Sequence, residues 1–470
     1  MKVDFFDDID QYGSSLAIIT ETDEHINYDA LINAADALKN NFKNRCLVFS
    51  ICENNLESIV GYVGFLRAKV VPALVSDGIS EELFERLLQT YKPEYVWLPR
   101  LKAYYANDCK EVYQFGEYVL LKTKFDIDYN IHDELAILLT TSGSTGSPKL
   151  VRQSYKNVIS NANAIAQYLE ITNSDRPITT LPMSYTYGLS IINSHLLKGA
   201  SIILTNKTLM DKAFWELLKI NNATTFGGVP YIYEMLKKLR FSRMNIPSIK
   251  ILTQAGGKLS AELSAEFAGI CEEKGVKFVV MYGQTEATAR MSYLPSQYAK
   301  VKAGSIGIAI PGGKFMIEDE NGKPITQSSV VGELVYCGDN VTMGYAESCY
   351  DLCKVDENAG ILKTGDMAMY DNDGFYYITG RKKRFLKLFG NRINLEEVEQ
   401  LLKSSGYECI CTGIDDNLEI YTTDNKGVDE IKSFVINHTG INQKGFKVFY
   451  IDAFPRNEVG KILYSKLAKS

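Results

Sequence analysis

The chain has 470 residues, 46% of them hydrophobic and 23% charged, with a formal net charge of −6. This is ordinary globular composition in a chain long enough for at least two cores, and its acidic balance excludes a general nucleic-acid binder. Nine cysteines with no CxxC pair and four scattered histidines argue against a structural zinc site and suit free thiols in a cytoplasmic protein.

The acidic start, residues 1–8, lacks the apolar run of a secretory signal. The apolar stretch 59–75 is interrupted by Arg67 and Lys69, too short and too charged to span a bilayer. No membrane insertion is expected. Residues 46–50 read as a buried strand, 55–67 as a helix and 70–75 as the next strand. Residues 200–204 and 250–253 read as further strands, each after a helical segment. Such alternation predicts parallel sheets with helices on both faces.

The pattern changes near residue 305. Turn signals at 319–322 and 371–374 punctuate short apolar runs at 333–337 and 375–379, which suits a small antiparallel barrel. After the basic run 381–384 come a helix (395–403) and short strands, so a domain boundary is placed at Lys383. The expected fold is α/β: a large N-terminal domain (1–382) of two mixed or parallel sheets with flanking helices plus a small β-barrel, then a small α+β C-terminal domain (383–470).

Residues 138–149 carry the strongest local chemistry. An apolar strand enters a loop of hydroxyls and glycines, Thr141, Ser142, Gly143, Ser144, Thr145 and Gly146, that closes on Lys149. Glycines let backbone N–H groups approach an anion, and lysine adds a mobile charge. Composition alone leaves a phosphate loop and a plain surface loop equally open. A P-loop NTPase is excluded, because Pro148 precedes Lys149 and Leu150 follows it where that motif needs Gly-Lys-Ser/Thr. No GxSxG elbow surrounds these serines.

Together with motifs that follow in order up to residue 461, this loop resembles the phosphate-binding loop of the adenylate-forming superfamily. That superfamily comprises acyl-CoA synthetases, nonribosomal-peptide adenylation domains and firefly-type luciferases; the acyl-CoA synthetase branch is nearest. The resemblance implies that residues 254–259, with Gly256, Gly257 and Lys258, lie along the adenine. In residues 281–286 it implies that Tyr282 packs on adenine beside Gly283 and Gln284, Thr285 contacts the α-phosphate, and Glu286 helps hold Mg²⁺. Asp366, in Thr364-Gly365-Asp366, would accept from the ribose hydroxyls, and Arg381 would also reach the nucleotide. Lys383 falls on the hinge of a mobile C-terminal domain. In residues 385–394, Gly390 would leave room for a pantetheine arm and Arg392 would be a companion phosphate or carboxylate contact. Lys461, in the C-terminal motif 455–461, would bridge carboxylate and phosphate during adenylation.

The resemblance also places the acyl pocket on residues 181–190 and 227–231, with Tyr185, Tyr187, Gly228, Val229 and Pro230 in its walls. Many relatives carry an apolar aromatic and then histidine where Ser184 and Tyr185 stand. No aspartate occurs in 181–190 to pair a substrate ammonium, which disfavours a free α-amino acid. Small residues and tyrosines suit a short, aryl or hydroxylated acid at least as well as a long alkyl chain. ATP, Mg²⁺ and CoA, or the phosphopantetheine of a carrier protein, are the implied cofactors and partners. The C-terminal domain is shorter than is usual in the family. A ligase that loads a carrier protein, one that stops at the adenylate, and a non-catalytic nucleotide binder are the rivals; Lys149, Glu286, Asp366 and Lys461 argue against the last.

Overall fold

The computed structural model describes residues 6, 8–106, 109–125, 129–140, 149–382, 384–388, 391–414, 416–425, 427–439, 442–456, 460 and 462–467. The chain packs as two compact units: Met1–Phe315 with Tyr336–Leu362, and Met316–Val335 with Lys363–Ser470.

An eight-stranded mixed sheet organises the first unit. Its centre is parallel: Leu47–Cys52 pairs with both Val71–Ser76 and Tyr95–Pro99, and Val71–Ser76 pairs with Leu135–Thr140. Antiparallel strands close both sides, among them Leu150–Ser154, which turns back on Leu135–Thr140. Every residue of Leu47–Cys52 is buried because alternate side chains enter different cores. Phe49 and Ile51 pack toward the helix Glu81–Tyr91, whereas Val48 packs with Phe65 and Trp97 under the helix Leu56–Arg67. Each such buried side chain contributes about 1.5–3 kcal/mol. Asn55 begins the Leu56–Arg67 helix by accepting from the Ser58 N–H at 2.9 Å.

The second sheet of this unit runs Thr225–Gly228, Ile251–Gln254 and Lys277–Tyr282 in parallel, then Ser292–Leu294 and Ile308–Ala309 antiparallel. Gly228, Gln254 and Tyr282 thus stand at the carboxyl ends of its parallel strands, where open α/β sheets take ligands. The strand expected at 200–204 shrinks to Ile202–Ile203, which pairs with Ile18–Ile19 in a separate three-stranded sheet. On its other side Ile203 exchanges backbone bonds with Pro177 and Thr179 of a loop, which limits its ladder.

Lys314–Glu318, Gly332–Cys337, Ile361–Tyr370 and Tyr376–Arg381 form one four-stranded sheet in that order, in the region read as a small barrel. The turn before Tyr376 is held by Asp371, whose carboxylate accepts from the Asp373 and Phe375 N–H groups at 3.0 Å, with Gly374 at φ +82°. The remainder of the second unit contains the hairpin Phe385–Leu388/Asn391–Asn394, the helices Leu395–Ser404 and Val428–Thr439, and a three-stranded sheet of Cys409–Ile414, Asn417–Thr422 and Phe446–Tyr450. Leu402, Cys411, Leu418, Ile420 and Val435 fill its core. No helix among the described residues is long and apolar enough to cross a membrane.

Candidate nucleotide and acyl site

The hairpin that carries the hydroxyl–glycine loop is fixed on both sides by the ladder, with Thr140 opposite Leu150. Thr141, Ser142, Gly143, Ser144, Thr145 and Gly146 themselves lie outside the described residues, as do Lys383, Gly390 and Lys461. Arg392 stands opposite Lys387 in the hairpin of the second unit.

Lys149, the first described residue after the loop, places Nζ 2.5 Å from Glu347 Oε1, with both side chains about half exposed. Two residues earlier, the Tyr345 hydroxyl donates to Glu286 Oε1 at 2.6 Å. The short strand Tyr345–Ala346, which pairs with Leu150 and Val151, and the residue that follows it, Glu347, therefore present partners for the expected metal-side carboxylate and the loop lysine. Burial raises the Tyr345 hydroxyl, and the Glu286 charge raises it further, so it remains a donor at neutral pH.

The turn that holds Tyr282, Gly283, Gln284, Thr285 and Glu286 is clamped by residues the motif search missed. Asn340 Nδ2 donates to the carbonyls of Ala287 and Arg290 at 2.9 and 3.0 Å. Both the N–H and the hydroxyl of Thr342 donate to the Glu286 carbonyl at 3.0 Å. Thr288 adopts φ +65°, uncommon for a β-branched residue, and its hydroxyl donates to the Asn340 carbonyl at 2.7 Å. Gly283 is required by space: a Cβ there would lie 1.7 Å from the Ala289 carbonyl oxygen. No local signal marks Asn340 or Thr342, because they reach the turn from more than fifty residues away.

Residues expected on the adenine side and on the acyl side meet. Gln254 Nε2 donates to the Gly257 carbonyl at 3.0 Å and so folds the segment on itself. A Cβ at Gly256, which has φ +82°, would stand 2.6 Å from the Tyr185 hydroxyl, and one at Gly257 would stand 3.1 Å from Pro230. Lys258 is exposed. The Tyr187 hydroxyl bonds the Thr253 carbonyl and hydroxyl, each at 2.9 Å, and occupies the space a Cβ on Gly227 would take. Ile232 crowds Gly228 in the same way, Val229 is buried, and Pro230 opens the helix Pro230–Lys238. Burial pushes the Tyr185 and Tyr187 hydroxyls up to about 12, so both phenols are neutral at pH 7.

In the second unit, Asp366 and Arg381 face each other across the ladder, with Arg381 Nε 2.9 Å from the buried Asp366 carboxylate. The two residues expected to grip the nucleotide separately are one ion pair. The Thr364 hydroxyl donates to the Leu334 carbonyl at 2.7 Å and accepts from the Asp366 N–H at 3.1 Å, which sets the carboxylate's position.

The sequence profile of AMP-binding enzymes matches residues 6–346. The chain belongs to this family. It sits with the acyl-CoA ligases of the adenylate-forming superfamily. It is 22% identical to oxalate–CoA ligase of Saccharomyces cerevisiae over 99% of this chain and 96% of that one. With 2-succinylbenzoate–CoA ligase of a Geobacillus species it shares 27% identity over 72% of this chain and 70% of the relative. The solved o-succinylbenzoate coenzyme A synthetase of Bacillus subtilis, in complex with ATP and magnesium ion, superposes with a TM-score of 0.76 at 22% identity, covering 99% of both chains. That likeness establishes the fold.

Proposed function

We propose that this AMP-binding enzyme is an AMP-forming carboxylate–thiol ligase with CoA as its thiol substrate. It activates a carboxylic acid as the acyl-adenylate with release of pyrophosphate, and CoA then attacks the mixed anhydride and releases AMP. The observation that supports this reading is the clamped Tyr282–Glu286 turn together with Lys149: Glu286 and Lys149 rest on Tyr345 and Glu347, partners only two residues apart.

Lys149 leaves Glu347 to meet a phosphate, and the hydroxyls and N–H groups of residues 141–146 surround it. Tyr282 covers the adenine that lies along Gly256, Gly257 and Lys258. Thr285 donates to the α-phosphate. Asp366 accepts from the ribose hydroxyls with Arg381 beside it, and Arg392 is a further anion contact. Glu286 fits a hard divalent cation, since it offers a carboxylate oriented by a neutral donor. Magnesium, when bound, offsets the phosphate charge. Lys461 is the adenylation lysine, Lys383 the hinge of a C-terminal domain beginning there, and Gly390 the thiol-side residue. The acid is short or aryl, since the Tyr185 and Tyr187 hydroxyls fill the space above Gly256 and Gly227.

Pyrophosphate release from ATP and Mg²⁺ across a panel of acids, with and without CoA, tests the reading. Acid-dependent release with a thioester only when CoA is added is the expected result. Release without thioester would move the acceptor to a carrier protein. Silence across the panel, with ATP still bound, would count against catalysis.

A further inference from the structure

The candidate acyl wall contains a full positive charge that the reaction above does not use. Arg290 lies just after the nucleotide turn and is 1% exposed. Its guanidinium carbon stands 4.2 Å from the ring centre of Tyr187. Nη2 donates to Ser190 Oγ at 3.0 Å, and Nη1 reaches the Tyr168 hydroxyl at 3.4 Å and the Met281 sulfur. Nε has no partner. Among the described residues, no carboxylate pairs with it.

The fold shows what a satisfied buried arginine looks like. Arg152 is equally buried, and it holds the Glu357 carboxylate at 2.6 Å together with the carbonyls of Met343, Lys354 and Tyr345. Arg290 has an aromatic face, two hydroxyls and a thioether instead. An aromatic quadrupole and neutral oxygens recover only part of what a buried cation loses on leaving water. Ser190 also lines a small cavity whose walls are part polar, from Gln153 and Asn193, and part apolar, from Val158 and Leu189.

We propose that Arg290 is a specificity residue of the acyl pocket, and that the acid carries a second carboxylate remote from the one that reacts. The planar guanidinium fork matches a carboxylate, and the unpartnered Nε supplies one prong. The crowded tyrosines keep the diacid short or aryl. This inference rests on the ligase reading for the position of the pocket.

The test compares acids of matched skeleton on the full chain: succinate with butyrate, glutarate with valerate, phthalate with benzoate. Equilibrium binding in the presence of a non-hydrolysable ATP analogue is measured for the wild type, Arg290→Lys and Arg290→Gln, alongside pyrophosphate release with ATP and Mg²⁺. At least one diacid is expected to bind about a hundredfold tighter than its monoacid, because a site built for a polar group rejects the analogue lacking it. Arg290→Gln should erase that preference while the ATP analogue binds as before, and Arg290→Lys should keep part of it. If Arg290→Gln no longer binds the ATP analogue, the wild-type comparison and Arg290→Lys decide. Equal binding of diacids and monoacids by the wild type, no binding of any diacid, or a preference that survives in Arg290→Gln would overturn the proposal. Diacid preference without pyrophosphate release would support the subsite and sink the ligase reading; release on monoacids without diacid preference would do the reverse.

Discussion

The proposed nucleotide side and the proposed acyl side of the first unit treat charge in opposite ways. Around Lys149 and Glu286 the charges are partly exposed and rest on replaceable partners, Glu347 and the Tyr345 hydroxyl. Along the acyl wall the tyrosines are neutral and Arg290 is buried without a carboxylate. Exposed pairs exchange partners cheaply because water screens both states. A buried cation has no such substitute. The lesson is that a ligand carrying its own counter-ion can be traded in at the first region, whereas the second region selects among ligands by what they bring.

The largest expected effect belongs to the proposed adenylation lysine. Lys461→Ala should lower adenylation about a hundredfold or more, by analogy with loss of a transition-state donor. Thioester formation from a preformed acyl-adenylate should fall far less; equal loss in both assays would remove the division of roles between the half-reactions.

Two glycines compare how rigidly the two sides are built. Gly283→Ala drives a methyl into the Ala289 carbonyl, and Gly227→Ala drives one into the Tyr187 and Thr253 hydroxyls. Overpacking of this kind costs about 1–3 kcal/mol, and the backbone clash at Gly283 should sit at the upper end. Urea denaturation would measure both, and a larger loss from Gly227→Ala would reverse the ranking.

Removing the phenol that orients Glu286 is a milder test. Tyr345→Phe should raise the Mg²⁺ concentration for half-maximal pyrophosphate release about fivefold, the equivalent of one hydrogen bond of ordinary net strength. An unchanged Mg²⁺ requirement would show that the phenol does not position the carboxylate.

The smallest effect belongs to Glu347→Ala. Its exposed pair with Lys149 should be worth less than about 1 kcal/mol to stability. ATP affinity should rise slightly at low salt and converge with wild type at high salt. A salt-independent loss of ATP affinity would mean that Glu347 does more than hold the lysine.

The residues themselves determined much of this protein. The apolar runs 46–50 and 70–75 read as strands, and the structure places Leu47–Cys52 and Val71–Ser76 at the centre of the parallel sheet. The helix read at 55–67 forms as Leu56–Arg67 with Asn55 as its cap, and the turn read at 371–374 forms around the Asp371 carboxylate. Gly228, Gln254 and Tyr282 were legible as motif members, and the fold sets them at strand ends. Tertiary structure alone decided who partners whom. Asp366 and Arg381 were both visible in the chain, but their pairing depended on a ladder register. Asn340, Thr342 and Tyr345 hold the Tyr282–Glu286 turn from more than fifty residues away, and no local pattern marks Arg290, which the fold buries on Tyr187. Local patterns fix which face of an element is apolar, since that follows from neighbours in the chain; whether a charge finds a counter-ion depends on contacts that only folding brings together.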